Sequence, residues 1–308
     1  MPDTDVAVHK PSSQPVDVIS PHAPRKSARR RNSPISKSPG LRALQYFWTV
    51  VMVVFTLFPF YWMVVSALRG PDDVLTTRVL PGPFTWEGFA NLLSSTPFPT
   101  YLTNSLIVSV SVTVLTIAIV TPVAYALSKM RGRAGRLASF STLLGYMVPE
   151  VLLVIPIFII LVRLNLDDSL AGLVLGLLSL TMPLALWLMT GFMSGIPPSL
   201  EEAARMDGAS WIKVFWHIVL PMSRPGILTV AIFTFISAWT DYVLPLTAIR
   251  SENLKTLPVG LSSLYGKFDA SWSEIMAGAV LVSLPAMIVV ALTTRYFISG
   301  LTLGATKG

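Results

Sequence analysis

Two carboxylates stand inside otherwise uncharged apolar runs, Glu150 directly after Pro149 and Asp241 in the stretch AWTDYVLP. A carboxylate near the centre of a membrane helix costs about 2.5 to 3.5 kcal/mol on insertion scales, so each is expected to face other helices or water. Paired acids could hydrolyse a bond within the membrane. Yet Asp241 is preceded by Trp239-Thr240 and Glu150 by Val148-Pro149, not by the GxGD expected of intramembrane aspartyl proteases, and no GxSxG occurs. The other readings are a polar pore lining, a packing contact between helices, or, for Glu150, a pairing with another subunit. The nearest approach to a phosphate-binding loop, GLSSLYGKF at Gly260 to Phe268, has five residues between its glycines and Phe268 where a magnesium-holding hydroxyl belongs. With no cysteine and three scattered histidines, His9, His22 and His217, no metal site is expected. His217 reads as a surface or docking residue.

The elements that must position these residues follow from composition. With 53% hydrophobic and 13% charged residues over 308, the chain is expected to have lipid as its main solvent. A bilayer core of about 30 Å takes roughly 20 apolar residues as a helix. Six such runs occur, at about 44–68, 101–128, 138–162, 171–193, 226–249 and 275–295. Strands would leave unpaired backbone in hydrocarbon and the alternation of a barrel is missing, so the expected fold is an all-α membrane protein of six spans. Seventeen of the 23 Lys and Arg fall in the N-terminal segment, the 129–136 loop, the 199–224 loop and the C-terminus. The positive-inside rule then places both termini and these loops in the cytoplasm. The net charge of +7 reads as a topology signal rather than a nucleic-acid footprint. Residues 1–43, rich in Pro and Ser and carrying RKSARRR at Arg25–Arg31, read as a disordered basic tail beside anionic lipid. Residues 44–308 form the membrane domain.

Between the fourth and fifth runs the chain interrupts its apolar character with SLEEAARMDGASWIKVFWHIVLP, Ser199 to Pro221, within a loop of about 194–224. Ser199 and Glu202 have capping-box spacing, Asp207-Gly208 breaks the helix, and Ser210 can cap a second one. In that second helix Trp211, Phe215, Ile218 and Val219 would share a face, and Pro221 and Pro225 would close it. An amphipathic hairpin on the membrane surface is the plain reading. Against it, Ala203, Ala204, Gly208 and Ala209 are small enough to let another protein approach the backbone closely.

Glu202-Ala203-Ala204, three residues, Gly208, nine residues and Ile218-Val219-Leu220-Pro221 resemble the EAA loop of the membrane subunits of binding-protein-dependent ABC importers. The DGA at Asp207–Ala209 and the ending GLTLGATKG at Gly300–Gly308 are similar to the carbohydrate-uptake branch, of the maltose-transporter type. The resemblance runs from about 44 to 308 and includes TLPVGL at Thr256–Leu261. It implies a type I importer permease that takes up a carbohydrate or another polar solute across the bacterial cytoplasmic membrane. Its implied partners are a second permease subunit, two ATPase copies and an extracytoplasmic solute-binding protein. ATP and magnesium would bind the partner ATPase and no cofactor this chain. The implied coupling residues are Glu201, Glu202, Ala203, Ala204, Asp207, Gly208, Ala209, Ile218 and Pro221. The 297–308 tail would reach the ATPase through Gly300, Leu301, Thr302, Gly304, Lys307 and Gly308. Asn104 of YLTNSL and Glu150, Trp239, Asp241 and Tyr242 are candidates for the solute path, the two aromatics stacking on sugar rings. A scaffold that recruits a partner through the basic tail would leave the EAA loop idle.

Overall fold

The structure, a computed structural model, describes residues 39–70, 83–130, 133–267 and 271–305. Every regular element among the described residues is helical. The chain divides into two compact units within the first helix, after Val53. The described part of the first unit is the start of that helix, α1 (Pro39–Ala67), a run of exposed Leu, Tyr, Phe, Trp and Val side chains from Leu41 to Val53. Residues 39–43, assigned from sequence to the tail, are therefore helical; residues 1–38 lie outside the described part.

The second unit contains the rest of α1 and α2 (Glu87–Ser95), α3 (Phe98–Lys129), α4 (Arg133–Tyr146), α5 (Glu150–Arg163), α6 (Leu170–Ser194), α7 (Pro198–Met206) and α8 (Trp211–Val214). A π turn (Phe215–Val219) follows, then α9 (Leu220–Met222), α10 (Arg224–Thr240), α11 (Val243–Ala248), α12 (Leu257–Lys267) and α13 (Trp272–Ala305). Four stretches, Gly40–Ala67, Phe98–Lys129, Leu170–Ser194 and Trp272–Leu292, are long and apolar enough to cross a bilayer. Two more candidates are bent pairs: Phe140–Tyr146 with Glu150–Arg163 at 90°, and Trp211–Met222 with Arg224–Thr240 at 70°.

These bends correct two of the expected runs. The 138–162 run is not one helix, because α4 stops at Tyr146 and Pro149 (ψ 126°) is extended ahead of α5; proline also pushes the residue before it out of helical geometry. The 226–249 run ends at Thr240. Asp241 turns extended (ψ 133°), and its carboxylate accepts from the Leu244 N–H at 3.2 Å, which opens α11 as a separate helix. The tail expected over 297–308 is a continuation of α13 to Ala305.

The spine of this unit is α3, along which three buried clusters are arranged. Phe98 and Tyr101 at its start pack with Leu92, Trp239, Leu257, Leu264 and Ala277. Its middle, through Val108 and Val112, meets α5, α6 and α11. Near its end, Val120 and Ala124 meet Met189 and Met193 of α6, Val230 of α10 and the valines 214 and 219. Glycine permits one of the tightest approaches: a Cβ on Gly260 of α12 would lie 2.1 Å from the Tyr101 ring. Outside these clusters the helices present bare apolar side chains such as Leu152 and Ile155, the arrangement expected where lipid is the solvent.

On the turn between α5 and α6, Asp168 has a left-handed backbone (φ 49°). Its carboxylate accepts from the main-chain N–H groups of Arg250 (2.8 Å) and Ser251 (2.9 Å) and from the Ser251 hydroxyl (2.5 Å). Arg250 also pairs with Asp167 at 2.9 Å. This fastens the α5–α6 turn to the segment after α11.

Candidate functional site

The EAA stretch folds as two short helices about a sharp bend. Its first helix, α7, begins at Pro198 with extended Pro197 before it and no side-chain cap. The Ser199–Glu202 capping box does not form, because Ser199 is already inside the helix. Proline at the first helical position lacks the N–H that a cap would satisfy and has φ preset. At the other end Asp207 caps and Gly208 takes φ +82°. The Gly208 N–H bonds to the Arg205 carbonyl and the Ala209 N–H to the Ala204 carbonyl, both at 3.0 Å. These are the two bonds of a Schellman stop, whose left-handed position glycine fills without strain.

Ser210 then caps α8, its hydroxyl accepting from the Lys213 N–H at 3.4 Å. The expected apolar face is shifted, because the helix widens into a π turn. Val214 and Val219, five residues apart, are both fully buried, with Phe215 and Ile218 partly so. Trp211 lies outside that face, with the Arg205 guanidinium 4.2 Å from its ring centroid. Pro221 falls within α9, and the break comes at Ser223, before α10 starts at Arg224 with Pro225 in its first turn.

The small residues divide between two faces. Ala204 and Ala209 pack against the cluster around Met193 and Val214. Glu202, Ala203, Asp207 and Gly208 are exposed, and nothing lies within 4 Å of a Cβ built on Gly208. Met206, 89% exposed beside the bend, went unmarked in the sequence reading although an apolar residue on a charged helix was a visible signal. Glu201 is turned the other way: it is 5% exposed and engages Lys129 and Tyr125 of α3. In the sequence Lys129 counts as one of the topology charges; its spacing of four from Tyr125, which puts both on one helix face, is the clue to this contact. Gly300, Leu301, Thr302 and Gly304 lie on the helical continuation of α13; Lys307 and Gly308 lie outside the described residues.

A second feature is a cavity of about 390 Å³ at the α5–α6–α10 junction, lined by Tyr146, Glu150, Thr181, Ser237, Asp241 and Tyr242, among others. Glu150 and Asp241 line this same cavity. The α4–α5 break and the α10–α11 break put them there, since each acid sits at a helix terminus beside a turn. The structure therefore brings together Glu150, Asp241 and Tyr242 of the candidate path. It does not bring in Trp239 or Asn104. Trp239 is buried, stacked on Phe235 at 5.7 Å, and donates its indole N–H to the Val282 carbonyl at 3.0 Å. Asn104 donates to the carbonyls of Asn253 and Lys255, both at 2.9 Å, while its neighbour Ser105 accepts from the Leu257 N–H at 2.7 Å. The NS and TLPVGL motifs are thus two halves of one structural joint.

Lipid-facing helices, a glycine-stopped polar bend and a polar cavity between broken helices define a multi-pass membrane permease. The chain belongs to the family of binding-protein-dependent transport system inner membrane components, whose model matches residues 118–302. It is 34% identical to the inner membrane ABC transporter permease YcjP of Escherichia coli K12, over 85% of this chain and 95% of that one. It is 33% identical to the trehalose/maltose permease MalG of Thermococcus litoralis, over 87% of this chain and 97% of the relative. In fold it is similar to a chain from the crystal structure of a bacterial alginate-importing ABC transporter, with a TM-score of 0.73 and 24% identity over 83% and 96% of the two chains. As a transport subunit it is not an enzyme, and the paired-acid hydrolase reading is set aside.

Proposed function

We propose that this chain is one of two permease subunits of a carbohydrate importer of the bacterial cytoplasmic membrane, with six spans and both termini in the cytoplasm. The similarity to a trehalose/maltose permease supports a sugar or related polar solute. The remaining parts of the assembly are a second permease, an ATPase pair that binds ATP and magnesium, and the solute-binding protein that the family's name calls for. The observation that carries the reading is the outward face of the bend, where Glu202, Ala203, Asp207 and Gly208 are exposed around an unobstructed left-handed glycine. A partner can seat there against backbone, and ATP-driven closure would rock the helices attached to it. Ile218 and Pro221 belong to the same coupling motif, and the tail from Gly300 to Gly308 is the second surface for the ATPase.

The solute path on this side is assigned to the cavity with Glu150, Asp241 and Tyr242. Cysteine cross-linking from Ala203 and Met206 to a co-expressed ATPase tests the docking, with capture from both positions expected. No capture, or labelling of the bend from outside the cell, would refute it. Uptake of labelled di- and oligosaccharides before and after deletion of the chain identifies the solute class.

A further inference from the structure

The inner face of the bend carries a contact that docking does not use. The two oxygens of the buried Glu201 carboxylate are divided between two residues on the last turn of α3. Oε1 pairs with the Lys129 ammonium, and Oε2 accepts from the Tyr125 hydroxyl at 3.1 Å. The Lys129 ammonium lies 5.2 Å from the Tyr125 ring centroid, and that ring lies 5.3 Å from the ring of Phe215 in the π turn. Arg205, the other charge acting on Tyr125, has its guanidinium over Trp211. Helix α7 is joined covalently to α6 through residues 195–197, whereas it is held to the end of α3 by these polar side chains, beside the apolar packing of Ala204 on the cluster that contains Val120 and Ala124.

We infer that Lys129, Glu201 and Tyr125 form a clasp that makes the end of α3 travel with the bend, so that a push delivered at Gly208 enters the membrane through α3 as well as α6. The inference rests on the coupling reading above. An ordinary surface ion pair would not serve, since exposed pairs hold little and exchange freely. Here the carboxylate is enclosed, and separating it from its partners would leave a charge stranded away from water. The pair therefore stays closed while the bend moves. Helix α3 then carries the displacement along its 32 residues to the far end, where Asn104 grips the segment at Lys255. The residues act by positioning; none is placed against solute or nucleotide.

The chain has no cysteine, so nitroxide labels at Ile212→Cys and Met130→Cys, both exposed positions, report the spacing of bend and α3 once the other subunits are made cysteine-free. The measurement uses the full complex with its co-purifying ATPase, nucleotide-free and trapped with ATP and vanadate. With the clasp intact the distance stays the same in both states. Glu201→Gln and Lys129→Met lengthen and broaden it in the trapped state, and the exchanged pair Glu201→Lys with Lys129→Glu narrows it again. A nucleotide-dependent distance with the clasp intact, or an unchanged one in both single variants, overturns the inference. If neither single variant reaches the membrane, Tyr125→Phe, which keeps both charges, must broaden the trapped distribution; an unchanged one overturns the clasp. ATPase capture is scored in parallel. Loss of capture in Glu201→Gln alone makes Glu201 a docking residue and overturns the clasp, whereas no capture by the unaltered chain defeats the coupling reading itself.

Discussion

The amide of Asn104, on the first turns of α3, donates to the main-chain carbonyl of Lys255, 151 residues later, at 2.9 Å in a buried setting. With the Asn253 carbonyl as its second acceptor, one side chain satisfies two backbone groups of the short 3-10 turn Glu252–Leu254 and its exit. Buried carbonyls need partners, so this asparagine does what a strand neighbour would do elsewhere.

Asn104→Asp keeps the shape but replaces the donating amide with an acceptor facing two carbonyls. It should destabilise the protein by about 1 to 3 kcal/mol, and Asn104→Ala should do the same by leaving both carbonyls unpaired. Hydrogen exchange should quicken at the Leu257 amide, which the adjacent Ser105 holds. Unchanged exchange there in both variants would show that the segment is held by other contacts.

Asp168 supplies the pH dependence. The Ser251 hydroxyl and the main-chain N–H groups of Ser251 and Arg250, all donating to it, hold its carboxyl below its ordinary value of 3.8. A depressed folded-state value means that its stabilisation is complete above the unfolded value and disappears as pH falls through the folded one. Thermal unfolding in detergent should therefore separate the unaltered chain from Asp168→Asn at neutral pH, with the gap closing only below about pH 4. A gap that persists at lower pH would mean that the amide variant fails for steric reasons.

Four of the expected runs were legible because hydropathy of such length has one solution in a bilayer, and the bend was legible because Gly208 follows a polar helix that nothing else could stop there. The breaks were not. Pro149 and Asp241 sit inside apolar runs that hydropathy alone reads as continuous, and only the geometry of two adjacent helix ends brings Glu150 to Asp241. The same limit hid the inward turn of Glu201. Adjacent glutamates look equivalent along a chain, but on a helix they point about 100° apart, and one meets Lys129 while the other meets solvent. Trp239 misled for the opposite reason, since its aromatic character suits a sugar ring and a packed core equally well.

Gly208 separates conformation from bulk. Asparagine tolerates the left-handed region, whereas valine pays about 1 to 2 kcal/mol to enter it. Because no neighbour in the chain crowds the position, both variants and Gly208→Asp should reach the membrane in normal amounts. Uptake should fall less for Gly208→Asn than for Gly208→Val and be abolished in Gly208→Asp, whose charged side chain would stand where the ATPase seats. Normal uptake by Gly208→Asp would remove the bend from the coupling route.

The cavity makes a prediction that divides the candidate path residues into two groups. Tyr242 and Asp241 line it, whereas Trp239 is occupied by the Val282 carbonyl and by Phe235. Tyr242→Ala and Asp241→Asn should raise the solute concentration needed for half-maximal ATPase stimulation while leaving the melting temperature nearly unchanged. Trp239→Phe should show the reverse, a stability loss of about 1 to 3 kcal/mol from the orphaned carbonyl and the smaller ring, with little change in the solute dependence. Glu150→Gln tests the second acid of the cavity: the amide keeps the shape of the side chain, so folding should survive, and any change in solute preference then reports the carboxyl. If Trp239→Phe altered the solute dependence and the cavity variants did not, the path would run on the α13 side of α10 and the assignment of this cavity would be wrong.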